Sequence, residues 1–319
     1  MSSSKSILKV VLPLLLGIAL VWYSLSQISV SKLVEYFKDA NYFWVFLGTS
    51  LGILSHTSRA YRWLFMAEPL GYKPKFTNSF MAVYSAYLIN LTIPRAGEVA
   101  RASILANYEN VPFEKGFGTI VAERVADTIM LLLIIGVALI VKFDFIYDDL
   151  MKKFNPSSLI IMMTALLIVV SGVYFFIKKS ASKFALKVRN FINGLIEGAL
   201  SIFKMKKKWA FIFHTVFIWV MYVLMFYVTT KALPELSGIS IGAVLIGFIL
   251  ASFSIAATNG GIGSFPEAIV IAFLLFNMPE DPSRAFGWIM WSTQTLVIII
   301  LGGLSLIYLP IYNRKKAKI

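Results

Sequence analysis

Six apolar segments long enough to span a membrane constrain this chain more than anything else in it: Leu8 to Leu25, Tyr42 to Leu64, Phe117 to Val141, Ser158 to Ile177, Trp209 to Thr230 and Ala285 to Leu309. Each falls within the roughly 17 to 25 residues a helix needs to cross a hydrocarbon core. Backbone N–H and C=O groups find no partner in lipid, so segments of this kind satisfy one another within helices. With 58% hydrophobic and 15% aromatic residues, the expectation is an all-α polytopic membrane protein. No polar block is large enough for a soluble domain, so residues 1–319 are read as one integrated membrane domain.

Two further apolar stretches are interrupted. Phe80 to Leu105 breaks at "TIPRAGE", and Ile239 to Phe276 breaks at "ATNGGIGSFPE". Lys and Arg in short loops mark the cytoplasmic side. The densest group, Lys178, Lys179, Lys183, Lys187, Arg189, Lys204, Lys206, Lys207 and Lys208, lies between the fourth and fifth runs. Lys5 and Lys9 place the N-terminus on the same side, and Arg314, Lys315, Lys316 and Lys318 place the tail there. Four plain spans separate the N-terminus from the basic loop, so the interrupted stretch among them must enter and leave on one side. The same holds in the second half.

Both stretches are therefore expected to be re-entrant helical hairpins, the first entered from the cytoplasm behind Arg59, Arg62, Lys73 and Lys75. Residues 7–141 and 158–309 then each read span, span, hairpin, span with opposite orientation. This is the inverted-repeat layout of many transporters, whose broken helices meet near the midplane. Lys5 and Lys9 at the start of this first segment, with Ser24 and Ser26 at its end, also fit a signal peptide; the repeat uses this segment as a retained helix. The connector 178–208 carries Phe184, Val188, Phe191, Ile192, Leu195 and Ile196 at helical spacing. It reads as an amphipathic helix on the inner leaflet, or else as a solvated basic linker.

The formal charge of +14 sits in these loops, which argues for anionic headgroups and against nucleic acid. The chain has no cysteine, and its two histidines, His56 and His214, lie in separate runs. No metal or cofactor site is apparent. His56 reads as a hydrogen-bonded core residue or a proton relay, and His214 as interfacial.

Ionisable groups at membrane depth are expensive, at roughly 2.5 to 3.5 kcal/mol each on insertion scales. Seven stand out: Arg95, Glu98 and Arg101 at the first break, Glu123, Arg124 and Asp127 in "GTIVAERVADTIML", and Glu267 at the second. On a helix starting after Pro94, Glu98 is three residues from either arginine. Pro94 and Gly97 release backbone groups that a continuous helix would use, and a helix start there points N–H groups at an anion. Asn259, Gly260, Gly261 and Gly263 permit close backbone approach before Pro266 and Glu267 open a second helix. Glu123 and Asp127 share a helix face and can bridge to the hairpin arginines. Two explanations stay open for the breaks: kinks pinned by salt bridges, or a ligand site.

With these residues in view, "NLTIPRAGEVARASIL", "ERVADTIML" and "NGGIGSFPEA" together resemble a flippase-like membrane family, represented by the transmembrane domain of bifunctional lysylphosphatidylglycerol synthases. The matching positions are Asn90, Pro94, Arg95, Gly97, Glu98, Arg101, Glu123, Arg124, Asp127, Gly260, Gly261, Gly263 and Glu267. The resemblance implies a lipid flippase or transporter in a prokaryotic cell (inner) membrane. Its substrate would be a phospholipid or a polyprenyl-phosphate lipid, and a lipid-synthesising enzyme is an implied partner. These 319 residues contain no synthase domain, so no catalytic role is expected. Two rivals remain: a membrane-embedded transferase using Glu98 or Asp127 as general base, and a scaffold that docks a lipid synthase through its basic connector.

Overall fold

A computed structural model describes residues 3–93, 95–142, 156–180, 182, 185, 186, 189 and 205–314. Eleven α-helices make up the described chain, and no strand occurs among the described residues. They are α1 Ser3–Ser26, α2 Val30–Asp39, α3 Tyr42–Ala67, α4 Phe76–Thr92, α5 Ala96–Glu109, α6 Phe113–Val141, α7 Pro156–Lys179, α8 Lys208–Thr230, α9 Ile241–Ala257, α10 Ser264–Leu274 and α11 Glu280–Tyr312. Side-chain oxygens cap several starts: Ser29 accepts from Lys32 N–H, Asn41 from Phe43 N–H and Ser240 from Ala243 N–H. Most of the amphipathic connector 178–208 lies outside the described residues.

By length and composition three described helices can cross a bilayer, namely α6, α8 and α11. A fourth span results if Leu15–Ser26 and Val30–Asp39, bent by 83°, are taken as one. This is fewer than the six spans expected. The helix α3 is long enough, at 26 residues, but it carries His56, Arg59 and Arg62 along with several hydroxyls. The bend after α1 was not anticipated: "VSKLVEYFKD" is a helix of 10 residues, too short to span alone, that buries Leu33 on one face.

The helices α3 and α8 run antiparallel along their whole lengths. Asn41 N–H bonds Ala232 O at 2.9 Å at one end, and Lys207 pairs with Glu68 at 3.0 Å at the other. Between them, Gly48 sits on Thr229 with no room for a Cβ, so the two helices come into close backbone contact.

Each interrupted stretch folds as a hairpin. In the first, α4 and α5 lie side by side: Glu109 at the end of α5 accepts from Lys75 N–H at 3.0 Å and from Asn78 Nδ2 at 2.5 Å at the start of α4. At its tip Asn90 Oδ1 accepts from Gly97 N–H at 2.7 Å. A Cβ on Gly97 would strike Ala86 O, which explains the glycine. The turn puts Arg95 in the left-handed region, with φ of 61°. In the second hairpin α9 packs on α10, and the turn between them uses positive φ at Gly260, Gly261 and Gly263. Gly263 lies against the α1 backbone at Leu20 and Val21.

The long helix α11 holds both hairpins, touching α10 where Gly287 meets Pro266 and α4 where Gly302 meets Tyr84 O and Leu88. Two buried cores result. One gathers Phe226, Phe248, Phe273 and Phe286 under the second hairpin. The other gathers Trp63, Met81, Leu105, Ile120 and Phe211 under the first.

Candidate functional site

The hairpin tips meet. Asn259 Nδ2, in the second turn, donates to Leu91 O near the end of α4 at 2.9 Å. Trp291 Nε1 donates to Gly260 O at 2.9 Å and fixes that turn against α11. The two broken segments thus touch each other, with Asn259 and Leu91 at the contact.

Beside the first tip lies a buried ion network. Glu123 is fully buried and Asp127 nearly so, one turn apart on α6. Arg101 of α5 grips Glu123 with both terminal nitrogens, at 3.1 and 2.9 Å, the bidentate geometry in which guanidinium and carboxylate match best. Its guanidinium also stacks 3.8 Å from the centre of the Trp63 ring. Arg59 Nη1 reaches Glu123 at 2.6 Å and Asp127 at 2.5 Å. Arg62 lies 3.2 Å from Asp127 and 3.4 Å from Glu123, and its other nitrogen donates to Thr215 Oγ1 at 2.8 Å. Arg124 completes the set at 3.4 Å from Glu123 and 3.8 Å from Asp127.

Four guanidinium groups therefore face two carboxylates, an excess of two positive charges. Arginine does not relieve this by deprotonating. The Nε atoms of Arg59, Arg62 and Arg101 are buried without a partner among the described residues.

Arg59 and Arg62 correct the sequence reading, which took them as markers of a cytoplasmic loop. They lie inside α3 and are among its most buried side chains. The signal was available: both fall within the run Tyr42 to Leu64, three residues apart on one helix. A second correction concerns Glu98, expected to contact Arg95 or Arg101. Arg101 is committed to Glu123, and among the described residues the half-buried Glu98 receives only a long bond from Asn90 Nδ2, at 3.4 Å. Arg95 is exposed at the hairpin tip, with no ion pair among the described residues. Pro94 lies outside the described residues.

Glu267 does not join this network. It pairs with Arg284 at 2.9 Å, which also bonds Glu280 at 2.9 Å. Arg284, buried at the start of α11, was missed because it borders the run Ala285 to Leu309. This second pair stands near the bundle end where Lys32 bonds Asp281. His56 takes a hydrogen bond with Tyr222 Oη at 3.2 Å among the rings of Tyr84 and Tyr87, the arrangement of a hydrogen-bonded core histidine. His214 is half-buried and bonds Ser58 at 2.8 Å.

A narrow cleft links the tip to the network. Tyr87, Asn90, Glu98, Arg101 and Arg124 line it over Val83 and Ala86. It has room for about one water molecule. No group of His, Cys, Asp or Glu suited to holding a metal occurs among the described residues.

Together these features define a helical membrane protein in which two hairpins meet tip to tip next to a buried, positively biased arginine–carboxylate network. The family model for the lysylphosphatidylglycerol synthase TM region matches residues 10–303, and the chain belongs to that family. It is 25% identical to the UPF0104 membrane protein MJ1595 of Methanocaldococcus jannaschii, over 99% of this chain and 98% of that protein. A shorter match, 28% identical over 111 residues, is to the glycosyltransferase AglD of Haloferax volcanii. It covers 34% of this chain and 18% of that protein.

Proposed function

We propose that this protein moves a lipid between membrane leaflets, with the headgroup passing the hairpin tips and the tails remaining in the bilayer. The observation that carries this proposal is the network with surplus arginines, opened to a cleft that the first hairpin lines with Asn90, Glu98 and Arg101. Arginine suits bidentate contact with phosphate. Irregular backbone at depth is tolerated where it lines a passage or is buried in protein. Because the cleft admits about one water, transport requires the tips to separate, the two hairpins opening in turn to each side.

The topology that goes with this proposal has six spans, two re-entrant hairpins and inverted repeats in one domain, both termini cytoplasmic in a prokaryotic cell membrane. The density of basic residues supports the orientation: Lys73, Lys75, Lys115, Lys206, Lys207, Lys208 and Arg314 gather at one end of the bundle, against Lys32, Lys38, Lys142 and Lys231 at the other. A lipid-synthesising enzyme would supply the substrate.

The test is leaflet sidedness in proteoliposomes, following fluorescent lipids with phospholipid and polyprenyl-phosphate headgroups. Wild type should move one class, and Arg95→Ala and Glu98→Ala should not. Normal movement by both variants would remove these residues from the mechanism.

The partial match to a protein named as a glycosyltransferase favours one second reading, a membrane-embedded transferase. Glu98, half-buried and lightly bonded, would be its general base, since Asp127 is saturated by arginine. Product formed from a labelled lipid by purified protein would establish it, and no turnover would exclude it.

A further inference from the structure

One arginine of the network reaches the outside of the bundle. On α6 the exposed positions Val121, Arg124, Thr128 and Leu132 succeed one another at intervals of three and four residues, so they form a single outward stripe. Its apolar members are 44% and 61% exposed at Val121 and Leu132, and the Arg124 side chain between them is 46% exposed. Where the surroundings are hydrocarbon, a guanidinium on such a stripe is costly unless an anion meets it.

Its own partners cannot satisfy it. The contacts of 3.4 Å to Glu123 and 3.8 Å to Asp127 are the loose ones of the network. Those oxygens are already held by Arg59 at 2.6 and 2.5 Å, and Glu123 Oε2 by Arg101 at 2.9 Å. Arg124 is thus the exposed arginine of the network and the one with the longest ion pairs, and it shares the cleft wall with Arg101.

We propose that the site selects lipids whose headgroup is a net-negative phosphate and admits them sideways from the bilayer, past Arg124. Phosphate oxygens bond Arg124 first and Arg101 behind it, and the ligand's charge offsets the excess of two. A net-cationic, aminoacylated headgroup meets the same arginines with Glu98 as the one lightly bonded carboxylate in the cleft, and is repelled. Soluble phosphate lacks the tails that bring a ligand to this face.

This selectivity deepens the transport proposal and rests on it for the movement of the bound lipid; binding itself is measured separately. The full chain in nanodiscs of zwitterionic lipid is titrated with fluorescent phosphatidylglycerol, polyprenyl phosphate and aminoacylated phosphatidylglycerol. One or both anionic lipids should bind at least about tenfold tighter than the cationic one, and Arg124→Gln should weaken that binding about ten- to a hundredfold, the worth of a charge-assisted contact. Arg124→Lys, which keeps the charge, should lose less. Inorganic phosphate at matched ionic strength should not displace the lipid.

Equal binding of the cationic lipid, wild-type binding by Arg124→Gln, or displacement by inorganic phosphate would each overturn the proposal. If Arg124→Gln does not fold, the wild-type lipid panel and Arg124→Lys still decide. Binding with this preference but no movement would refute transport alone. Movement without preference would refute this inference alone.

Discussion

Replacing Glu123 by glutamine removes one charge from the centre of the network and leaves the volume unchanged. Glu123 is fully buried and accepts from Arg59 at 2.6 Å and from Arg101 at 3.1 and 2.9 Å, with Arg62 and Arg124 each at 3.4 Å. In the variant Asp127 alone faces four guanidinium groups, and the excess rises from two charges to three. Removing one partner of a buried ion pair costs about 3–5 kcal/mol. The glutamine Oε1 still accepts one hydrogen bond, which offsets about 1 kcal/mol. The net loss is then about 2–4 kcal/mol, a large share of the stability of a typical domain. The assay is unfolding in mixed micelles followed by tryptophan fluorescence, with Trp63 stacked on Arg101 and Trp219 3.4 Å from Asp127 as internal reporters. Combined with Arg101→Gln, the double variant should show a coupling of about 1–3 kcal/mol. A single-variant loss below about 1 kcal/mol, the size of an exposed pair, together with additivity, would refute the claim that this is one buried network.

Gly97→Ala pushes a methyl group into Ala86 O and Asn90 and should cost about 1–3 kcal/mol by overpacking, with a loss of lipid movement. Gly136→Ala, with nothing within 4 Å of the new Cβ, should be neutral or stabilise by up to about 1 kcal/mol as a helix former; thermal unfolding in detergent compares the two. Asn259→Ala removes the tip-to-tip bond to Leu91 O and should cost about 1 kcal/mol, read by the same unfolding assay. Arg284→Gln leaves Glu267 with a weaker partner at the opposite end of the bundle. Its stability loss should add to that of Glu123→Gln within about 0.5 kcal/mol, as expected of separate clusters.

The hairpins were legible in the sequence because proline, glycine and charge interrupt hydrocarbon-length runs, and little else explains such a break. Gly260, Gly261 and Gly263, read as allowing close backbone approach, take positive φ in the turn, whereas Gly97, read as releasing backbone groups, lies inside α5 with its N–H bonded to Asn90. Glu123 and Asp127, four apart, pointed to a shared face and to the hairpin arginines; Glu123 does bridge to Arg101, whereas Asp127 pairs with Arg59, Arg62 and Arg124. Arg59 and Arg62, inside the run Tyr42 to Leu64, were read only as charges marking the cytoplasmic side and so were missed as members of the network. Their burial depends on two carboxylates more than 60 residues away. The partner of Glu267 was hidden for a similar reason, since Arg284 sits at a span boundary. The contact between Asn259 and Leu91 joins residues 168 positions apart, which no local pattern encodes.

Separation of the tips is the central claim, and the chain, which has no cysteine of its own, allows it to be tested directly. Leu91→Cys and Asn259→Cys, introduced together, place one thiol on each tip for a short cleavable cross-linker, and lipid sidedness is then followed in proteoliposomes. Transport that stops on cross-linking and returns when the linker is cleaved would mean that the headgroup passes where the hairpins part. Transport at the wild-type rate by fully cross-linked protein would contradict that route.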